Sequence, residues 1–296
     1  MRLKTRFIVN LRSGRARKAL PAVRTFAAQR GAEIVLTERT RHACELAATA
    51  HSDGCELIVA VGGDGTMNEV ASALIDTSAT LGLIPCGSGD GLGRHLGIHG
   101  SPEHALHILA TGSSRSIDTG IADGHPFVTA AGIGFEAEIA RRFNALERRG
   151  FLGYLTTSAR TFRQWNPQHY VVHQGDAHHM ITAFTLVVAN TDQYGNNAII
   201  APGARADDGL LDLCAIPPVT LWNAAPLLTR LFSGSLNRQK SVYLRRAEHF
   251  TIERSSPGPI HTDGEVHEAG AVIEFTIRPA SLRIMTPTRA SQVGHR

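Results

Sequence analysis

The stretch "VGGDGTMNEV" (61–70) decides the reading of this chain. It follows the apolar run "ELIVAV" (56–61) and opens "MNEVASALI" (67–75), whose apolar residues recur at helical spacing. A strand that ends in Gly62, Gly63, Asp64, Gly65 and Thr66 and passes into a helix leaves the first helical N–H groups without partners. Glycines there carry no Cβ to keep a large anion away, and the helix dipole favours negative charge at that end. Asp64 would repel a phosphate unless a cation lay between them, so an Mg2+ bridge is the economical expectation. Thr66 is expected as the N-cap, with Glu69 completing a capping box. The competing account is a plain strand–helix turn.

Outward from this loop the first hundred residues alternate. "RFIVN" (6–10), "AEIVLT" (32–37), "ELIVAV" (56–61) and "LGLIP" (81–85) read as strands, with helical stretches at about 15–29, 41–51 and 67–75 between them. Continuous apolar strands separated by helices predict a parallel sheet covered on both faces. Ligands bind such sheets at the carboxyl ends of the strands. A second glycine-rich loop, "PCGSGDGLGRHL" (85–96), falls at the next such end. Ser88 offers a hydroxyl to a phosphate there, and Arg94 offers a charge.

Near residue 114 the pattern changes to β-rich runs joined by turn residues, among them "PFVTAAG", "HHMITAFTLVVAN", "LLDLCAI", "KSVYLRRAEHFTIER" and "AVIEFTIRP". Helical interruptions are expected at about 135–164 and 219–233. The expected division is an α/β domain over 1–122 and a mostly antiparallel β domain over 123–279, with 280–296 free to return to the first.

The 296 residues carry 43% hydrophobic and 19% charged residues, a globular balance with a net charge of +4. That excess suits phosphate ligands or an anionic membrane surface and is too small to argue for nucleic acid. The four cysteines have no metal-knuckle spacing, so reduced thiols in a cytosol-like compartment are expected. No stretch approaches the roughly 20 apolar residues of a membrane span. His95/His99 and His104/His107 have metal-compatible spacing but no carboxylate or cysteine companions in a recognised pattern.

"GGDGT", then "GSGDGLGRHL", "AAGIGFEAEIA", "APGARADDGLLDL" and "HTDGE", in this order over nearly the whole chain, resemble the diacylglycerol kinase catalytic-domain family. That family includes bacterial lipid kinases and sphingosine kinases. The resemblance implies an N-terminal nucleotide-binding domain, a C-terminal β-sandwich-type domain, and ATP- and Mg2+-dependent phosphorylation of a lipid alcohol. It implies that Gly62, Gly63, Asp64, Gly65, Thr66 and Asn68 surround ATP phosphates, with Thr37 and Ser88 near the nucleotide. It implies Asp263 as general base on the lipid hydroxyl and Glu265 as assisting with metal, while some members put the base at the position of Asp64. Asp208, with the backbone carbonyls of Arg205 and Leu210, matches a structural Mg2+ loop of the bacterial members.

The chain also departs from the pattern. "NLRSG" (10–14) has Leu11 where the family usually has proline. Asp90 and Gly91 stand where bacterial members usually carry Asn-Asp, and "NTDQYGNN" (190–197) lacks the usual glycines. These changes leave the acceptor open among diacylglycerol-like, sphingoid and other long-chain alcohols. An NAD kinase-like or other small-molecule kinase, or a non-catalytic regulator on the same fold, are the rivals.

Without the resemblance, Asp263-Gly264 is a hairpin turn signal. A lipid acceptor asks for membrane contact. "ARRFNALERRGFLGYLTTSARTFRQW" (140–165) interleaves arginines with large apolar residues as an interfacial element would, and "LWNAAPLLTRLF" (221–232) is a second candidate. The expected setting is cytoplasmic and peripheral on the inner membrane face, and a homodimer is compatible with the sequence.

Overall fold

The computed structural model describes residues 3–144 and 151–288, which form two compact units. The first runs to Thr119 and takes in Gln193–Asn197 and the chain from Pro279; the second comprises Gly120–Asp192 and Ala198–Arg278. Residues 193–197, read from the sequence as part of the second domain, group with the first.

In the first unit β1 (Thr5–Val9), α1 (Ala16–Arg30), β2 (Glu33–Leu36), α2 (His42–Ser52), β3 (Leu57–Gly62), α3 (Asp64–Leu74) and β4 (Thr80–Pro85) alternate. Their parallel sheet has the order β2-β1-β3-β4. β3 and β4 are buried along their whole length, as strands covered on both faces must be. The short α4 (Gly91–His95), α5 (Pro102–Thr111) and β5 (Ser113–Ala122) follow. The end of the last strand pairs in parallel with β4, Arg283 opposite Thr80 and Ile284 opposite Leu81. That fifth position in the sheet is filled from some two hundred residues away in sequence.

The second unit is a two-sheet β-sandwich. β6 (His125–Phe127), β7 (Ala130–Gly134), α6 (Phe135–Asn144), α7 (Phe151–Gln164), β8 (Gln168–Gln174), β9 (Ala177–Ala183) and β10 (Thr185–Ala189) come first. After β11 (Gln193–Gly195), β12 (Ala198–Ile199) and β13 (Leu211–Ile216) come α8 (Leu221–Phe232), β14 (Tyr243–Ala247) and β15 (His249–Arg254). β16 (Gly258–Thr262), β17 (Glu265–Ala269) and β18 (Val272–Thr286) complete the chain. One antiparallel sheet has the order β14-β13-β10-β7-β16-β17; β18, β15, β8 and β9 form the other. Their inner faces bury Ile133, Leu186, Leu213 and Ile260 from one side against Tyr170, Phe250, Ile273 and Phe275 from the other. "KSVYLRRAEHFTIER" is not one strand. β14 belongs to the first of these sheets and β15 to the second, so the chain changes sheet at Glu248.

Candidate active site

The first glycine loop begins its helix earlier than its hydrophobic pattern suggests. α3 starts at Asp64, and Gly63, in extended conformation, is the N-cap with no side-chain cap bond. Thr66 is therefore inside the first turn, not the cap. It is buried, accepts a bond from Asn10 Nδ2 at 3.0 Å, and sits where a Cβ on Gly62 would meet it at 2.6 Å. Gly62 is thus required by packing beneath the loop. Glu69 does not close a capping box on its own helix. Its carboxylate accepts the N–H groups of Arg41 and Ala43, both at 3.0 Å, and so caps α2. Without a side-chain cap, the N–H groups of the first turn of α3 keep their hydrogen-bonding capacity for a ligand.

The second glycine loop lies directly against the first. A Cβ on Gly87 would stand 2.9 Å from the Gly63 Cα, and Cys86 N–H donates to Gly62 C=O at 2.6 Å. Asp64 ties the two together: its Oδ1 accepts the Gly91 N–H at 3.1 Å, and Oδ2 occupies the space a Cβ on Gly89 would need. The loop after β1 closes a third side. Arg15 N–H donates to Cys86 C=O at 2.9 Å, and Gly14 packs on that same carbonyl.

Between these loops and the start of α5 is a cavity of about 750 Å3, whose wall includes Ser13, Gly63, Gly87, Ser88 and Ser101. Arg15 and Arg94 bring positive charge to it, and Asp90 opposes them. Asp90 is buried, in a left-handed conformation as the N-cap of α4. Burial and the neighbouring Asp64 push its carboxyl up to about 7, against the pull of Arg94, Arg15 and a Gly93 N–H. Arg94 is held by the segment from the sequence-distant region: Nη1 donates to Asn197 Oδ1 at 2.5 Å, and Asn196 N–H donates to Gly89 C=O at 2.9 Å. Sequence reasoning missed Asn196 and Asn197. The positive φ of Gly195, Asn196 and Asn197 follows from a tight turn, but nothing local says where the turn docks.

Of the residues expected near nucleotide, Gly63, Ser88 and Arg94 line the cavity, and exposed Asp64 and Gly65 begin α3 beside it. Thr37, just past β2, has its N–H on Val9 C=O and is not in the wall, nor is half-buried Asn68. The cradle fits a polyphosphate: free N–H groups, packed glycine backbones and two guanidinium groups converge on it. It does not fit a resident metal, since one Asp64 oxygen is spent on Gly91 and no cluster of three metal-ligating side chains occurs among the described residues.

In the second unit, Asp263 and Gly264 form the β16–β17 turn, both with positive φ, as an Asp-Gly hairpin requires. The Asp263 carboxylate turns inward. Oδ2 accepts the Val128 N–H at 2.7 Å, and Oδ1 accepts those of Thr129 and Ala130 at 2.9 Å. Burial pushes its carboxyl up, with these three N–H bonds pulling it down. Both oxygens are occupied, so in this conformation Asp263 fastens the β6–β7 connection and is not aimed as a proton acceptor. Glu265, one residue past the turn, is exposed. Sequence reasoning also missed His261. It is buried, takes the Gly264 N–H on Nδ1 at 3.4 Å, and points Nε2 toward Glu136 Oε2, 3.8 Å away. A Cβ on Gly132 would collide with that Nε2, which explains the glycine in "AAGIGFEA".

The Asp208 loop is closed by protein groups. Asp208 Oδ1 accepts the Leu210 N–H at 3.2 Å, and Oδ2 lies 3.5 Å from Arg246, which also pairs with Asp212 at 2.9 Å. The Arg205 side chain pairs with Asp207 at 3.1 Å. A cation on Asp208 would compete with the Arg246 guanidinium, so these residues do not fit the metal loop read from the resemblance.

Part of the 140–165 stripe packs within its own domain. Residues 145–150, which include Leu146, Arg148 and Arg149, lie outside the described residues. Burial works against the charge of Glu138, but Arg141 at 2.8 Å and Arg142 at 2.5 Å hold its carboxyl below the usual range. Phe162 and Trp165 pack on Phe135, and Trp165 Nε1 donates to Phe184 C=O at 2.9 Å. These side chains serve the domain itself.

Comparison with known proteins follows the same division. Residues 4–122 match the family described as diacylglycerol kinase catalytic domain, and residues 129–286 match the YegS C-terminal NAD kinase beta sandwich-like domain. A "probable lipid kinase YegS-like" of Pseudomonas fluorescens is 30% identical over 267 residues, 88% of each chain. The chain belongs to the YegS-like lipid kinase family. A relative of the same printed name in Pseudomonas aeruginosa is 30% identical over 79% of this chain and 78% of its own. Among solved structures, a diacylglycerol kinase of Bacillus anthracis shares the fold with a TM-score of 0.75 at 18% identity, covering 97% of both chains. An NAD kinase of Archaeoglobus fulgidus in complex with ATP shares it more distantly, with a TM-score of 0.58 at 12% identity over 98% of this chain and 96% of its own. Membership makes the chain a kinase-type phosphotransferase.

Proposed function

We propose that the protein transfers the γ-phosphoryl group of ATP to the hydroxyl of a diacylglycerol-like or sphingoid lipid. What carries this reading is the cradle of Gly63, Gly87, Ser88 and the uncapped start of α3, walled by Arg15 and Arg94. Phosphoryl transfer asks a protein mainly for positioning and charge neutralisation, and these groups offer both. Mg2+ would enter with the nucleotide and neutralise its phosphates. The lipid oxygen attacks the γ-phosphorus, the bond to the ADP oxygen breaks, and the alcohol proton passes to a carboxylate. Asp64 is the better candidate for that proton than Asp263, because it is exposed and has one oxygen uncommitted to an N–H. Glu265, beside the Asp263-Gly264 turn, is open to solvent.

The test is γ-labelled ATP and Mg2+ with a panel of lipid alcohols in mixed micelles, wild type beside Asp64→Asn and Glu265→Gln. Label in one lipid class, lost with Asp64→Asn, is the expected result. Label in NAD or another soluble alcohol, with none in any lipid, would overturn the lipid acceptor while leaving the nucleotide site standing.

A further inference from the structure

Helix α8 is built inside out. In Leu221–Phe232 the buried side is marked by Leu227, while Trp222 is 92% exposed, Leu228 53% and Phe232 54%. At 100° per residue, positions 222, 225, 228 and 232 fall within about a third of the helix circumference. The solvent-facing arc is thus apolar, the reverse of a surface helix packed on its own domain. The helix is also firmly held. Thr220 and Asn223 form a reciprocal capping box at its start, and Ser233 and Ser235 donate N–H bonds to Thr229 and Arg230 carbonyls at its end.

Charge says what such a face meets. Between Asp212 and Glu248 the sequence has no acidic residue and five basic ones. Arg246 is committed to Asp208 and Asp212, and Arg245 lies over the Tyr243 ring. Among the described residues Arg230, Arg238 and Lys240 form no ion pair, and Arg238 and Lys240, just past the end of α8, are exposed. An exposed Trp beside Leu and Phe, with unpaired cations at one end, has the chemistry of an interfacial helix on an anionic bilayer. A protein partner would be expected to bring its own acidic complement. A lipid-phosphorylating enzyme must reach a substrate that lies in a membrane.

We infer that α8, with Arg230, Arg238 and Lys240, is the surface by which this protein docks on an anionic lipid bilayer, Trp222, Leu228 and Phe232 entering the headgroup region. The inference deepens the lipid-kinase reading and rests on it. The 140–165 stripe is the weaker candidate, because Arg141, Arg142, Phe162 and Trp165 are engaged within the domain.

The full-length protein is floated with vesicles of 70:30 phosphatidylcholine–phosphatidylglycerol and of phosphatidylcholine alone. Wild type should bind the anionic vesicles, and brominated lipid should quench its tryptophan fluorescence. Trp222→Phe should abolish most of that quenching, which separates Trp222 from Trp165. The triple change Trp222→Ala, Leu228→Ser, Phe232→Ser should lower vesicle partitioning at least about tenfold, and Arg238→Gln with Lys240→Gln should remove the preference for anionic lipid. All five positions are exposed, so melting temperatures should stay at the wild-type value. Turnover in detergent mixed micelles should survive the triple change, while turnover on vesicles falls with binding. Equal vesicle binding by wild type and triple variant overturns the docking surface while leaving the lipid reading intact. No lipid turnover in micelles by wild type would instead strike the functional reading. A wild-type dimer that the triple change dissociates, with no vesicle binding by either, would assign the face to a second copy and overturn the proposal.

Discussion

The Asp64 carboxylate accepts the Gly91 N–H at 3.1 Å and thereby locks the first glycine loop to the second. The contact joins residues on neighbouring βα units and uses one oxygen of the two. Asp64 therefore has a structural task as well as the chemical one proposed for it, and the two can be separated by substitution.

Asp64→Asn keeps an acceptor oxygen for Gly91 but loses the charge. The melting temperature should stay close to wild type and ATP affinity should hold or improve, since one negative charge leaves the vicinity of the phosphates. If Asp64 takes the alcohol proton, kcat should fall by about 10²–10⁴. Nucleotide titration beside lipid turnover separates these quantities, and an unchanged kcat would exclude Asp64 as proton acceptor.

The glycines of the first loop should respond in opposite ways. A Cβ on Gly62 would meet Thr66 at 2.6 Å, so Gly62→Ala should destabilise the protein by about 1–3 kcal/mol. Around Gly65 nothing lies within 4 Å, and the residue is in the first turn of α3. Gly65→Ala should therefore leave stability unchanged or raise it by up to about 1 kcal/mol. In the same variant ATP affinity should drop about tenfold or more, if the proposed phosphate site extends over this open space. Denaturant melts and nucleotide titrations on both variants check the contrast. Full ATP affinity in Gly65→Ala would move the phosphate site away from α3.

Asp90 should make stability depend on pH. Its ordinary carboxyl value is 3.8 and its folded value about 7, so the folded protein keeps a proton that the unfolded chain releases. Its contribution is greatest below about pH 4 and is lost as pH rises toward 7. Asp90→Asn removes the ionisation. A tenfold change in proton affinity between the folded and unfolded chain is worth about 1.4 kcal/mol, and screening at the cavity mouth reduces the total. The variant should be more stable than wild type by on the order of 1–2 kcal/mol at pH 8, with the difference shrinking toward pH 4. Thermal melts across that range test the sign.

The parts that sequence made legible are the local ones. Alternation of apolar strands and amphipathic helices placed β1 to β4 within a residue or two, because each element buries its own periodic face. The glycine loops were legible because backbone approach leaves few residue choices. What local pattern could not carry is the partner chosen across a long separation. Glu69 sits three residues after Thr66, as a capping box would have it, yet caps α2 because that helix packs alongside α3. Asn197 holds Arg94 across 103 positions, and Asp263 holds the Val128–Ala130 backbone across more than 130. Side-chain type announces that such residues hydrogen-bond; only the fold says to what.

Asp263 gives the clearest separation of scaffold from chemistry. Its two oxygens satisfy three backbone N–H groups, and Asn190 braces the same connection with Nδ2 on Val128 C=O at 2.9 Å. Asp263→Ala would strand those donors, and a loss of about 2–4 kcal/mol is expected. Asp263→Asn replaces one acceptor with a donor facing a donor and should cost a large part of the same amount. Exposed Glu265→Gln, two positions on, should leave stability unchanged. Turnover lost in Asp263→Asn together with stability would mark a residue that acts through the fold. A variant that melts like wild type and no longer phosphorylates lipid would show that the carboxylate leaves its N–H partners during the reaction and takes the proton itself.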